Sequence, residues 1–236
     1  MRTIMLLNAK GGSGKSTLAT NIAAHYATQG KAVVLADFDP QGSSLQWLKV
    51  RPDDRPSIQG TAVWRDTPRI ANGTDYVIMD VASGHHGKQL HTLMRYAQTI
   101  VVPVLPSPID IRAATIFIQE LRQAGEVSQR DIQDAPLAAF FKRMLGGSRR
   151  LKPKLGVIAN RVRENTVAYD ALYDFLDRLK VPFLTTLRDT QNYIQAAERG
   201  LGLCELAPAQ VAYDMELWEP LIRWLSSKRS LPASPR

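Results

Sequence analysis

Between a short apolar run and a helical pattern the chain reads Ala9, Lys10, Gly11, Gly12, Ser13, Gly14, Lys15, Ser16, Thr17. Glycines at 11, 12 and 14 let the backbone wrap so that successive N–H groups face one anion, and the helix that follows adds the positive end of its dipole. Such a loop suits a nucleoside polyphosphate. Gly11, Gly12, Ser13, Gly14 and Thr17 would cradle it, Lys15 would reach its β- and γ-phosphates, and the Ser16 hydroxyl would complete a Mg²⁺ shell. The pattern G-x-x-x-x-G-K-[ST] is met except at its first position, where Ala9 stands. The competing reading is a glycine-rich turn that happens to carry a lysine.

Carboxylates follow at spacings that fit the same chemistry. Asp37 and Asp39 close a β-branched run, and alternation along a strand puts both on one face at its carboxyl end, able to point at a metal and a γ-phosphate. Asp39 could instead cap a helix beginning near Gln41. The run Tyr76, Val77, Ile78, Met79 ends in Asp80, placed to hold a Mg²⁺ hydration shell. His85, His86 and His91 have no cysteine or carboxylate at nearby spacing to complete a tetrahedral set, so a zinc-type site is not expected there.

These residues need strands that end together. Short apolar runs alternate with longer helical patterns, which predicts an α/β fold: a doubly wound, mostly parallel sheet flanked by helices. Strands are predicted at Thr3 to Asn8, Ala32 to Ala36, Asp75 to Asp80, Thr99 to Val104, Lys154 to Asn160 and Pro182 to Leu187. Continuous apolar runs among them suit strands covered on both faces. Helices are predicted at Lys15 to Gln29, after Gly87, and at Ile109 to Ala124, Thr166 to Leu179, Thr190 to Arg199 and Ala209 to Leu225. Residues 52–68, rich in Pro, Asp and Arg, read as a surface excursion with at most one short strand, and residues 146–154 as a flexible basic loop. One domain over residues 1–225 is expected, followed by a basic Pro/Ser-rich tail, 226–236, expected to be disordered.

The second lysine before the glycine pair, Lys10, together with Gly11, Gly12, Gly14, Lys15, Ser16 and Thr17, resembles the deviant Walker A loop of the ParA/MinD family of P-loop ATPases. The Asp37-Phe38-Asp39-Pro40-Gln41-Gly42 run is similar to that family's Walker A′ segment, and Tyr76 to Asp80 to its Walker B strand. The resemblance runs from Ile4 to about Leu225. It implies slow, partner-stimulated hydrolysis of ATP with Mg²⁺ in a homodimer that sandwiches two nucleotides. Lys10 would reach the partner's phosphates as an arginine finger does, Asp39 would orient the attacking water, and Asp37 would support the metal through its water shell. Asn160, at the end of Val157 to Ala159, resembles the asparagine that contacts adenine in MinD-like members, and its amide offers both donor and acceptor. The turn holding Arg188 and Asp189 would close over the base. After Asp80, the run Val81 to Gly87 departs from the Thr/Pro-rich turn usual in ParA proteins; Gly84 keeps the flexibility of a γ-phosphate sensor.

Composition narrows the partners. The 236 residues carry 30 Lys+Arg against 22 Asp+Glu, a formal charge of +8, which makes a polyanion the natural counterpart. By resemblance the ATP dimer would bind DNA without sequence preference and segregate or position a plasmid, chromosome or protein complex with a ParB-like or cargo-adaptor protein bearing a basic N-terminal arm. DNA candidates are Arg188, Arg149, Arg150, Lys152 and Lys154, with Lys142, Arg143 and the tail bases nearby; Asp214 interrupts the basic character relatives often show on the last helix. The chain opens on the first strand, so operator reading by an N-terminal helix-turn-helix is not expected. A MinD-like membrane anchor would use the apolar stripe Leu217, Trp218, Leu221, Ile222, Trp224 and Leu225, but Glu216, Glu219 and Pro220 favour a closing helix of the core. A P-loop ATP-dependent biosynthetic ligase is a third reading, which Lys10 disfavours. Cys204, the one cysteine, excludes an internal disulfide and a cluster held by two cysteines per subunit. A cytoplasmic, nucleoid-associated protein is expected, with no membrane span.

Overall fold

The computed structural model describes residues 1–65, 70–124, 152–163, 172, 175, 176 and 181–232. Seven strands form one parallel sheet: β1 (Arg2–Leu6), β2 (Val33–Asp37), β3 (Gln59–Ala62), β4 (Tyr76–Asp80), β5 (Thr99–Val104), β6 (Lys154–Val162) and β7 (Phe183–Arg188), in the order β3-β2-β4-β1-β5-β6-β7. The chain leaves β1 toward β2 on one side and, after β4, crosses to β5 on the other. That reversal opens a crevice at the carboxyl ends of the central strands, where doubly wound sheets bind ligands.

Strand alternation explains why the apolar runs are unbroken. Met5, Leu7, Val34, Ala36, Val77 and Met79 face one core with α3 (Gly87–Met94) and α4 (Pro108–Ala124). Ile4, Leu6, Val33, Leu35 and Ile78 face the other, under α1 (Lys15–Thr28) and α6 (Pro208–Ser226). Each face sheds water, so neither residue of a pair can be polar without a partner. Two short helices, α2 (Ser43–Lys49) and α5 (Asn192–Glu198), lie beside these. Of the helix expected at Thr166 to Leu179, residues 172, 175 and 176 are described, and they are helical.

Pro220 does not break the last helix, which periodicity predicts at Ala209 to Leu225 and which runs from Pro208 to Ser226. Its stripe lies inward: Trp218, Leu221 and Leu225 are buried, with Leu217, Ile222 and Trp224 packed beside them. Nor is the start of the tail disordered. Residues 228–230 form a 3-10 turn, Ser230 is fully buried, and its carbonyl accepts a 2.6 Å bond from Thr99 Oγ1 while Arg2 donates to its hydroxyl. A buried polar backbone needs such partners, and the amino-terminal ends of β1 and β5 supply them. Among the described residues no helix is long and apolar enough to cross a membrane.

Candidate functional site: a phosphate loop over two buried carboxylates

The loop between β1 and α1 wraps as its glycines require. Gly12 and Gly14 adopt positive φ, +75° and +89°, and a Cβ on Gly14 would stand 2.3 Å from Asn160 Nδ2. Gly14→Ala is therefore expected to cost about 1–2 kcal/mol in backbone strain alone and to push Asn160 off the loop. Thermal unfolding and nucleotide titration would show both losses, and an unchanged nucleotide affinity would mean that the Asn160 contact is dispensable.

Lys15 opens α1 and is buried, its Nζ donating to the Lys10 carbonyl at 3.3 Å. Burial lowers its pKa, and the nearby carboxylates of Asp80 and Asp39 oppose that shift. Beneath the loop, Asp37 and Asp80 are register neighbours at the ends of β2 and β4, both almost wholly buried. Their environments differ. Asp37 Oδ1 accepts the Asp39 N–H at 2.9 Å, and its Oδ2 accepts the Ser44 hydroxyl at 2.8 Å and the Leu45 N–H at 3.3 Å. Asp80 keeps one buried oxygen, Oδ2, without a partner, and its pKa is pushed up to about 6, chiefly by burial and also by the charge of Asp37, while hydrogen bonds from Ser16 and Ser44 and the charge of Lys15 pull the other way. An orphaned carboxylate oxygen beside a serine hydroxyl is an all-oxygen donor set, the kind a hard divalent cation takes. The residues present fit Mg²⁺.

Asp39 lines the cleft above them, its Oδ1 accepting the Gln41 N–H at 2.9 Å. That bond closes a turn ahead of α2, so the side chain does local capping as well as facing the cleft. The cleft has a volume of about 690 Å³ and is walled by Gly11, Gly12, Gly14, Ser16, Thr17 and Asn160 on one side. Ser13 sits fully buried beneath the loop rather than on the wall, and Asn160 Nδ2 donates to its carbonyl at 2.8 Å. Asn160 thus ties strand β6 to the loop as well as facing the cleft.

Several lining residues carry no sequence signal. Arg161 takes a positive φ of 55° to turn into the cleft, and Arg161 and Arg163 bracket Asp189 at 3.6 and 2.9 Å. Non-glycine residues hold that conformation only where their surroundings impose it. Gln41, Ser43 and Tyr193 also line the cleft, as does Ser83 from the turn after Asp80, whose Gly84 N–H reaches the Ala9 carbonyl at 3.2 Å. Burial lowers the pKa of His85 in that turn, His86 pairs with Glu120 at 3.0 Å, and among the described residues no three His, Cys, Asp or Glu side chains group around a metal site.

Two basic residues stand differently from what their positions suggest. Arg188 does not line the cleft; its Nε meets Asp214 Oδ1 at 2.5 Å and its guanidinium lies over Tyr213, so it is held charged by a buried carboxylate of α6. Asp214 therefore neutralises the arginine offered as a nucleotide and DNA contact. Lys10 reaches outward from the loop to Asp110 Oδ1 at 2.7 Å, in the first turn of α4. Lys152 and Lys154 are exposed, whereas Arg149 and Arg150, with Lys142 and Arg143, lie outside the described residues.

Comparison with known proteins agrees with this geometry. The chain is 28% identical over 213 residues to a maintenance of carboxysome distribution protein A of Halothiobacillus neapolitanus, covering 86% of this chain and 87% of that one. Its fold superposes on the MinD cell division protein of Aquifex aeolicus with a TM-score of 0.65 at 18% identity over the whole of both chains. The septum site-determining protein MinD of Pyrococcus horikoshii, solved with Mg-ADP, matches 99% of each chain with a TM-score of 0.64 at 13% identity. Residues 4–203 match the profile of the CobQ/CobB/MinD/ParA nucleotide binding domain, and with the phosphate loop, the buried aspartates and the parallel sheet in place the chain belongs to that family.

Proposed function

We propose that this chain is an ATPase of the ParA type that joins with a second copy over two ATP molecules, binds DNA without sequence preference in that state, and positions a cargo inside the cell. The observation that carries the nucleotide reading is the unpartnered, buried oxygen of Asp80 beneath Lys15 and beside Ser16. A carboxylate in that position is costly unless a cation completes it.

Residue roles follow from position. The loop N–H groups and Lys15 hold the phosphates. Ser16 would ligate Mg²⁺ directly, with Asp80, and Asp37 behind it, acting through bound water. The metal, when bound, neutralises charge developing on the phosphoryl oxygens. Asp39, at the cleft surface, orients the attacking water, and bond breaking yields ADP and inorganic phosphate. Lys10 is the residue for the partner's phosphates, and to serve there it must leave Asp110, exchanging one carboxylate for a more highly charged triphosphate. A relative concerned with carboxysome distribution supports a protein-compartment cargo, reached through an adaptor with a basic N-terminal arm, alongside plasmid or chromosome cargo. The apolar stripe of α6 is spent on the core rather than offered to lipid, which favours nucleoid association over membrane.

The deciding measurement is molar mass by light scattering with a non-hydrolysable ATP analogue and with ADP, followed by cosedimentation with plasmid DNA. The dimer and the DNA complex should appear with the analogue alone. Lys10→Ala should bind nucleotide yet remain monomeric. A wild-type chain that stays monomeric under saturating analogue would overturn the proposal.

A further inference from the structure

We propose that a basic pocket at the amino-terminal edge of the sheet, formed by Arg122, Lys154 and Arg229, is the contact site for the phosphate backbone of duplex DNA. The inference rests on the DNA-binding reading above and gives it a location, on the edge opposite the nucleotide cleft. The pocket has a volume of about 280 Å³, with Trp224 and Pro182 in its wall. Its cations converge from three separate elements: the last turn of α4, the first residue of β6 and the 3-10 turn after α6.

Their convergence on one hollow with no carboxylate in its lining distinguishes them from the bases that are paired. Lys10, Arg163, Arg188 and Arg223 each meet a carboxylate, of Asp110, Asp189, Asp214 and Glu219. Arg122, Lys154 and Arg229 are exposed and have no ion pair among the described residues. Three like charges held around one hollow repel one another, an arrangement that an external anion relieves. Lys152 and Lys228, also exposed, extend the same edge.

The site is also held in place. Arg229 sits between Ser227, whose hydroxyl accepts its N–H at 3.2 Å, and the buried Ser230, bonded to Thr99. Lys154 is anchored by its own N–H to the Gln98 carbonyl at 2.9 Å. The backbone that carries Lys154 and Arg229 is therefore ordered before a ligand arrives, and only the side chains remain to be fixed. A duplex fits better than a lipid surface. Interfacial binding needs apolar side chains to enter the acyl boundary, and the exposed large apolar residues, among them Val50, Ile109, Ile116 and Ile194, do not line this pocket. Phosphates of a duplex ask for cations alone and are read without regard to sequence.

The location explains how ATP could govern DNA binding without touching it. One protomer offers three cations and a dimer six, so the slope of log affinity against log salt should steepen from about −2.7 to about −5.4 on dimerisation. The second pocket then binds at high effective concentration.

The test is fluorescence anisotropy of a short random-sequence duplex with the full chain and a non-hydrolysable ATP analogue, titrated with salt. Arg122→Ala/Arg229→Ala should lower affinity by about 100-fold or more and flatten the slope by about 3.6, while analogue affinity and dimer mass stay as in the wild type. A Lys49→Ala/Arg199→Ala variant, which removes equal charge on the far β2–β3 side of the sheet, should keep the wild-type slope. If the first variant binds duplex as the wild type does, the pocket is not the contact site and the DNA-binding reading survives. If the wild-type dimer forms but binds no duplex, that reading fails and the pocket with it. Binding to phosphatidylglycerol vesicles in place of duplex, abolished by the same substitutions, would assign the pocket to membrane and overturn the proposal.

Discussion

Lys15→Ala is expected to lower ATP affinity by about 30-fold or more, since removing one partner of a buried charged contact costs about 2–5 kcal/mol. The lysine is buried at the start of α1, and Asp39 and Asp80 are near enough to favour its charged form against the desolvation that lowers its pKa. Truncation removes a cation set against Asp39 and Asp80 and leaves those two carboxylates facing an incoming triphosphate. The loss should therefore exceed that of a lone hydrogen bond, and added Mg²⁺ should recover part of it. Isothermal calorimetry with ATP and with ADP measures it. The drop should be larger for ATP, because Lys15 is placed for the β- and γ-phosphates. Equal, small losses for both nucleotides would remove Lys15 from that role.

The largest stability effect is expected far from the cleft. Arg51, just past α2, holds Glu205 through two parallel bonds of 2.8 and 2.7 Å, with both side chains nearly inaccessible at 5% and 1% exposure. The guanidinium also donates to the carbonyls of Gly200 and Pro56, and Glu205 accepts the Gly202 N–H, so every charge is matched. Gly200 has a φ of +62°, and a Cβ there would lie 2.4 Å from the Arg51 backbone, so the two segments meet at closest approach. Arg51→Ala leaves a buried, uncompensated carboxylate and should cost about 3–5 kcal/mol. At this chain length that is a fall in melting temperature of about 6–20 °C. Adding Glu205→Leu to the arginine variant should restore part of the loss, since the penalty comes from the orphaned charge rather than from the missing attraction. Urea unfolding of the two single variants and the double variant supplies the cycle. Strict additivity would show that the pair does not act as a unit.

Much of the fold was legible because it follows from local rules. The run Thr99 to Val104 is a strand over those same residues, and α1 and α4 begin within one residue of the predicted starts. The strand between Gln59 and Ala62 falls inside the Pro-rich excursion that allowed for one. The helix Ser43–Lys49 is too short for periodicity to reveal, although the turn at Asp39 marks its approach. Of the site, the glycine loop, Lys15 and the aspartates at 37, 39 and 80 could be placed in advance. Arg161 and Arg163 could not, because nothing in their neighbours announces a left-handed backbone at a strand end. The last helix was legible across Pro220, since its apolar stripe keeps the helical period on both sides of the proline.

By itself the sequence determined the parallel sheet, the phosphate loop and the three aspartates, because strand alternation, helical periodicity and glycine geometry act over a few residues. Among the described residues, tertiary structure decided which charges are paired and which are not. Lys10 meets Asp110 across 100 residues of chain, Arg188 meets Asp214 across 26, and Arg122, Lys154 and Arg229 gather from three elements. Coulomb pairing depends on separation in space and fades within about 10 Å in salt, so only the folded arrangement could sort neutralised bases from those left for a partner.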